Sequence, residues 1–184
     1  MKKTVLSLAL VSALAFGDTN TTHDLNVTQM GNEAIQKMMQ TLKDAVMGAM
    51  KEGGAKKTAE VCSNSATDIE KSVNDSFPNI TVKRATLKPR NPDNQATPDE
   101  AKVIETYATT NSKELTTIKM GENHYKVYQP IYMMKMCLTC HGEDGVRDKQ
   151  ADTIIQAKYT NDQSNGYKEG DFRGVFVADI NLSK

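Results

Sequence analysis

The chain has 184 residues, with 23 basic and 23 acidic side chains, 38% hydrophobic and 5% aromatic residues, and no tryptophan. A balanced charge provides no electrostatic footprint for nucleic acid, and no glycine-rich phosphate loop of the nucleotide-binding kind is present. The thin aromatic content leaves a domain of this length short of large core groups.

The chain opens MKKTVLSLALVSALAFG, with Lys2 and Lys3 ahead of an apolar run from Val5 to Phe16. Ala13, Ala15 and Gly17 stand at the spacing a signal peptidase reads. The run is too short to span a bilayer. Residues 1–17 are therefore predicted to be a signal peptide, and the mature protein to be exported to the periplasm. The competing readings are a retained anchor and a buried N-terminal helix. Residues 18–29 are polar and threonine-rich and read as a flexible lead-in. The remainder, residues 30–184, has the length of a single domain.

A helical pattern follows, with Met30, Ala34, Met38, Leu42, Ala45 and Ala49 recurring at three and four residues. Gly53 and Gly54 should end or kink it. A second helical stretch places Val61, Cys62, Ser65, Ile69 and Val73 on a possible shared face, and Pro78 closes it. Ile80 to Lys88 reads as a strand, followed by a loop with three prolines. Thr97, Pro98 and Glu100 spell a helix start with a capping box. The stretch ELTTIKMGENHYKVYQPIYM reads as a hairpin turning at MGEN. A short helix over Ala151 to Tyr159 and a strand over Phe172 to Ile180 complete the order. Helices first and strands later predict an α+β fold, an antiparallel sheet covered on one face by helices.

Between the hairpin and the short helix stands YMMKMCLTCHG. Cys137 and Cys140 are two residues apart and His141 follows at once, the pattern of covalent c-type haem attachment. The spacing lets two thiols reach both vinyl groups from one short turn, and the histidine then lies under the iron. A redox dithiol or half of a zinc site would also use C-x-x-C. Histidine directly after the second cysteine is unusual in both. One covalent haem is the expected cofactor.

Iron has a second axial position, open to methionine, histidine, cysteine or nothing. Met133, Met134 and Met136 lie so close to Cys137 that reaching the opposite haem face is hard; they read as packing around the porphyrin edge. Met30, Met38, Met39, Met47 and Met50 form a stripe of the kind that usually fills a core. His23 and His124 read as ordinary polar histidines. Cys62 has no intramolecular disulfide partner once two of the three cysteines become thioethers. It is either a buried inert thiol or a thiolate ligand opposite His141.

Cys62, TLKPRNPDN (Thr86 to Asn94), YQPIYMMKMCLTCHG and NGYKEGDFRG (Asn165 to Gly174), taken together, resemble a family of exported haem c proteins with a PAS-like fold, long labelled a domain of unknown function. The resemblance spans roughly residues 33–180. It implies a PAS-like antiparallel sheet with N-terminal helices and His/Cys ligation in at least some members, for which Cys62 is the candidate here. Arg90 is then a candidate propionate partner, since a guanidinium pairs with a carboxylate in a two-pronged way. A solvated loop arginine is the plain alternative. Asn91 could hold that loop, Arg173 is a second propionate candidate, and Tyr132 could line the haem edge together with Tyr128.

The expected function is a redox- or gas-responsive haem sensor or binding module with His/Cys ligation. The alternative is a monohaem cytochrome c that carries electrons. A peroxidase-like enzyme would need an acid–base group above the iron, and only His124 is at hand; no catalytic role is expected. The implied partners are a periplasmic redox or signalling protein and a diatomic gas, and a homodimer through the N-terminal helix is open. No nucleic-acid partner is expected.

Overall fold

The structure, a computed structural model, describes residues 19–183. The predicted signal peptide lies outside the described residues. The first helix, α1 (Thr19–Asn64), begins well before the expected start and takes in the segment read as lead-in. Its polar composition hid one anchor: Val27 is buried in the main core. Val27, Ala34, Ile35 and Met38 share one helical face and pack as a stripe on the sheet. At the middle of α1 the chain bends at Gly53 (φ −153°, ψ 21°) and Gly54 (φ 65°, ψ −151°). The Gly54 conformation is open to glycine alone at little cost. The kink lets one helix serve two partners. Its first half lies on the sheet, and its second half packs Ala59 against Ala151 and Ile155.

A short α2 (Ala66–Asn74) leads to β1 (Ile80–Ala85). Asn74 gives and takes a hydrogen bond with the Val82 main chain (3.0 and 2.8 Å), which covers part of an edge strand's open ladder. Next comes α3 (Pro98–Thr110) with the expected capping box: Thr97 Oγ1 accepts from the Glu100 N–H, and the Glu100 carboxylate accepts from the Thr97 N–H. The hairpin is β2 (Thr116–Lys119) and β3 (His124–Tyr132), turning at the expected residues. Then follow α4 (Leu138–His141), α5 (Lys149–Lys158) and β4 (Phe172–Asn181).

The four strands form one antiparallel sheet in the order β1-β4-β3-β2. The last strand is central, inserted between the first strand and the hairpin. Its residues 174–178 are buried without alternation, the mark of a strand covered on both faces. Phe176, Ala178 and Ile180 face α1 and α2, whereas Val175 and Val177 face Ile104 and Tyr107 of α3. The expectation of helices on one face is thereby corrected: α3 covers the other. Two glycines allow close approach. A Cβ on Gly31 of α1 would stand 2.5 Å from Val127 Cγ2, and one on Gly174 (φ 149°) would stand 2.5 Å from the Ala85 carbonyl oxygen. At Gly174 the β4 backbone therefore touches β1 beside the site described next.

Candidate functional site

Strand β3 delivers the chain directly to the C-x-x-C-H motif. A bulge between Ile131 and Tyr132 turns it off the sheet. Lys135–Cys137 form a 3-10 turn and α4 continues it. Gly142 ends the helix where a Cβ would stand 2.6 Å from the Leu138 carbonyl oxygen.

Cys137 and His141, four residues apart and so on one helical face, line a cleft of about 370 Å³, within the range of ligand pockets. Helix α1 forms one wall with Met39, Leu42, Lys43 and Val46, again at three- and four-residue spacing. The end of β3 and the following turn supply Pro130, Ile131, Tyr132, Met133, Met134 and Met136; β4 supplies Phe176. The ionisable groups on the rim besides His141, Tyr132 and Cys137 are Lys43, Arg84 and Arg173, with no carboxylate among the lining residues; Arg84 turns its guanidinium to Glu70 at 2.6 Å. An apolar slot with a cationic rim suits a flat apolar ligand with anionic edges.

His141 is oriented from behind. Its Nδ1 lies 2.8 Å from the Ser164 carbonyl oxygen and 2.7 Å from Ser164 Oγ. A carbonyl only accepts, so Nδ1 carries the proton and Nε2 keeps its lone pair. Desolvation, then the Arg90 and Arg173 guanidinium groups, hold the ring's pKa well below its usual value. The result is a neutral imidazole with a free nitrogen, the form that binds a metal.

Arg90 does not line the cleft. Its Nη2 donates to the Cys140 carbonyl (2.7 Å) and the Ser164 carbonyl (3.1 Å), and its Nε donates to Asp162 Oδ2 (3.1 Å). Asn91 is also outside the cleft; its side chain accepts from the Asp93 N–H and caps the turn that follows Arg90. Arg173 does line the cleft, with Nη1 donating to Thr86 Oγ1 (2.6 Å) and the Lys88 carbonyl (3.1 Å). Tyr132 lines it too, its hydroxyl donating to the Ser112 carbonyl at 2.8 Å. Tyr128 points to the opposite face and packs under α3.

Cys140 packs against the Ala59, Ala151 and Ile155 cluster, where burial pushes its thiol up to about 11. Cys62, on the last turn of α1, is exposed and does not line the cleft. Crowding around its sulfur raises the thiol pKa, against the lowering pull of Arg84 and Arg90. A thiolate at Cys137 would raise it further, and a thiolate at Cys62 would do the same to Cys140. Of the helix methionines, Met39 reaches the cleft, Met38 is core, and Met47 is exposed. His124 is bonded to Asp179 at 2.8 Å and does not line the cleft.

Sequence reasoning missed Arg84, Lys43, Asp162 and Ser164. Arg84 shares the period-2 face of Ile80 and Val82, a signal readable once the cleft is known. Ser164 stands one residue ahead of the closing NGYKEGDFRG run, and nothing in its identity marks it.

The fold and cleft define a PAS-like α+β domain: an antiparallel sheet, N-terminal helices, and an apolar, cation-rimmed cleft at one end. Residues 19–181 match the Tll0287-like family, and the chain belongs to it. The crystal structure of the cyanobacterial haem protein Tll0287 is similar in fold, with a TM-score of 0.61 at 21% sequence identity, covering 90% of this chain and 98% of that one. No curated protein matches the chain.

Proposed function

We propose that this chain is an exported c-type haem protein serving as a redox- or gas-responsive binding module rather than a catalyst. The observation that carries this reading is the placement of His141. Its Nδ1 is committed to Ser164, and it stands with Cys137 on the wall of an apolar cleft whose rim carries three cations and no carboxylate. A haem has matching needs: apolar contact for its faces, cations for its propionates, and a neutral nitrogen for its iron. The described relative being a haem protein supports the same assignment.

When bound, the haem supplies a one-electron couple and an iron site able to take a diatomic ligand. Cys137 and Cys140 would hold it by thioethers, which requires the Cys140 side chain to leave its alanine-lined packing. His141 Nε2 would take the iron. Arg173 and Lys43 would face the propionates, Arg84 being already paired with Glu70, and Tyr132 the porphyrin edge. Cys62 is proposed as a second residue that would hold the iron, supported by its lack of a disulfide partner and its nearness to Cys137 and Cys140. As an exposed residue outside the cleft wall, it would have to move with the last turn of α1 to ligate. That displacement would carry ligand state to the helix surface, where a periplasmic redox or signalling partner could read it.

The test is spectroscopic. The exported protein should keep haem through denaturation and lose covalent attachment in Cys137→Ala and Cys140→Ala. Optical and EPR spectra of wild type and Cys62→Ala, oxidised and reduced, should differ between the two proteins. Identical spectra would remove Cys62 from the iron, and a chain with no haem would remove the whole reading. A ferrous protein that stays six-coordinate and refuses carbon monoxide would leave only the electron-carrier alternative.

A further inference from the structure

The groups behind His141 form a closed hydrogen-bonded ring. Asp162 uses one carboxylate oxygen to accept from Arg90 Nε (3.1 Å) and the other to accept from the Ser164 N–H (2.8 Å). Arg90 Nη2 returns to the Ser164 carbonyl (3.1 Å), the same oxygen that accepts from His141 Nδ1 at 2.8 Å. The same Nη2 also holds the Cys140 carbonyl at 2.7 Å, one residue before His141. One guanidinium therefore fixes both ends of the histidine's hydrogen bond: the backbone that carries the ring and the carbonyl that receives its proton. The ring is shielded from water, with side-chain exposures of 12% for Arg90 and 9% for Asp162, and Ser164 is fully buried.

We infer that Arg90 is a positioning residue for His141, clamping with Asp162 the Ser164 carbonyl so that the imidazole keeps its Nδ1–H tautomer and a limited electron density. This inference rests on the proposed role of His141 as the haem's ligand. A carbonyl already accepting from a guanidinium is a weaker acceptor for a second donor. The imidazole opposite it keeps its proton more tightly and is less anionic. Partners behind a metal-binding histidine set ring orientation and ligand basicity, and ligand basicity shifts the iron couple. A loop pin with no bearing on the ring would need only the Asp162 and Cys140 contacts. The contact to the shared Ser164 oxygen is the one that reaches His141.

The experiment compares haem-loaded wild type, Arg90→Met and Arg90→Lys, with the haem-free chain followed by proton NMR of the His141 Nδ1–H. Arg90→Met should raise the oxidised-to-reduced ratio at fixed ambient potential about tenfold, a drop of about 59 mV for one electron. Arg90→Lys keeps the charge but loses the fork, and should shift the ratio in the same direction. In both variants the Nδ1–H signal of the haem-free chain should move downfield, since the Ser164 carbonyl released by the guanidinium accepts more strongly from the ring. Arg90→Lys with a wild-type potential and a wild-type Nδ1–H signal would overturn the clamp, leaving charge alone as Arg90's effect. If Arg90→Met does not fold, Arg90→Gln replaces it, with the same sign of shift expected. A wild type that binds no haem would refute the proposed function. The Nδ1–H signal would then decide the clamp by itself: moved downfield in Arg90→Lys it stands, unchanged it falls.

Discussion

Glu100 is the most exacting test of how α3 is held on the sheet. Its side chain is fully buried, with Lys83 Nζ at 3.0 Å from one oxygen and Lys126 Nζ at 3.5 Å from the other. The oxygen nearer Lys126 has no hydrogen-bond donor, so its stabilisation is coulombic. Glu100→Gln keeps the shape, and glutamine can still accept from the Thr97 N–H in a capping box. What it removes is the charge that balances the two lysines. Breaking a buried pair from one side costs about 3–5 kcal/mol. Lys83 is 37% exposed and Lys126 retains Asp179 at 3.5 Å, which moderates the loss. We expect about 2–3 kcal/mol, or roughly 4–12 °C in Tm for a domain of this size. The pH dependence has a definite sign. Burial raises the Glu100 pKa, but the Thr97 N–H and the two lysines outweigh it, and the folded value lies below 4.5. Glu100 therefore stabilises the fold above that value, and the contribution is lost as pH falls through the depressed folded pKa. Thermal melts of both proteins between neutral and acid pH should show a gap that narrows as the pH falls below the ordinary glutamate range. A variant melting within a degree of wild type at pH 7, or a gap constant with pH, would refute the reasoning.

Gly174→Ala should destabilise by about 2–4 kcal/mol, since its Cβ would meet the Ala85 carbonyl at a positive φ. Because Gly174 and Ala85 both line the cleft, the same variant should retain less haem after export, read as the ratio of Soret to protein absorbance. Gly31→Ala would press α1 off Val127; a loss of about 1–3 kcal/mol in urea melts is expected. Asn74→Ala leaves the Val82 main chain without two partners and should cost about 1–3 kcal/mol, with faster amide exchange confined to β1. Replacing Arg173 with methionine removes a rim cation and should weaken haem retention before attachment, measured as thioether yield, while leaving the His141 Nδ1–H signal intact.

Several features could be read from local pattern because their physics is local. The capping box of Thr97 and Glu100, the glycine kink, the MGEN turn and the C-x-x-C-H turn each depend on residues within a few positions of one another. Hydrophobic period fixed the order of helices and strands for the same reason. The start of α1 is not legible in residues 18–29 because, among the described residues of that mostly polar segment, only Val27 is buried against the sheet, while Leu25 is exposed.

The sequence by itself determined the chemistry available: two thiols and an imidazole on one turn, and a third cysteine far upstream. Tertiary structure decided what surrounds that turn. Insertion of β4 between β1 and β3 brings Arg84, Arg173 and Gly174 to one rim, and the antiparallel pairing that does so joins residues about a hundred positions apart. It also set Arg90 behind His141 and off the cleft wall. A guanidinium binds any well-placed acceptor, and only the folded loop shows that Asp162, Cys140 and Ser164 are already in its reach. Residue type limits which bonds a side chain can make; the backbone path between distant residues selects which of them it does make.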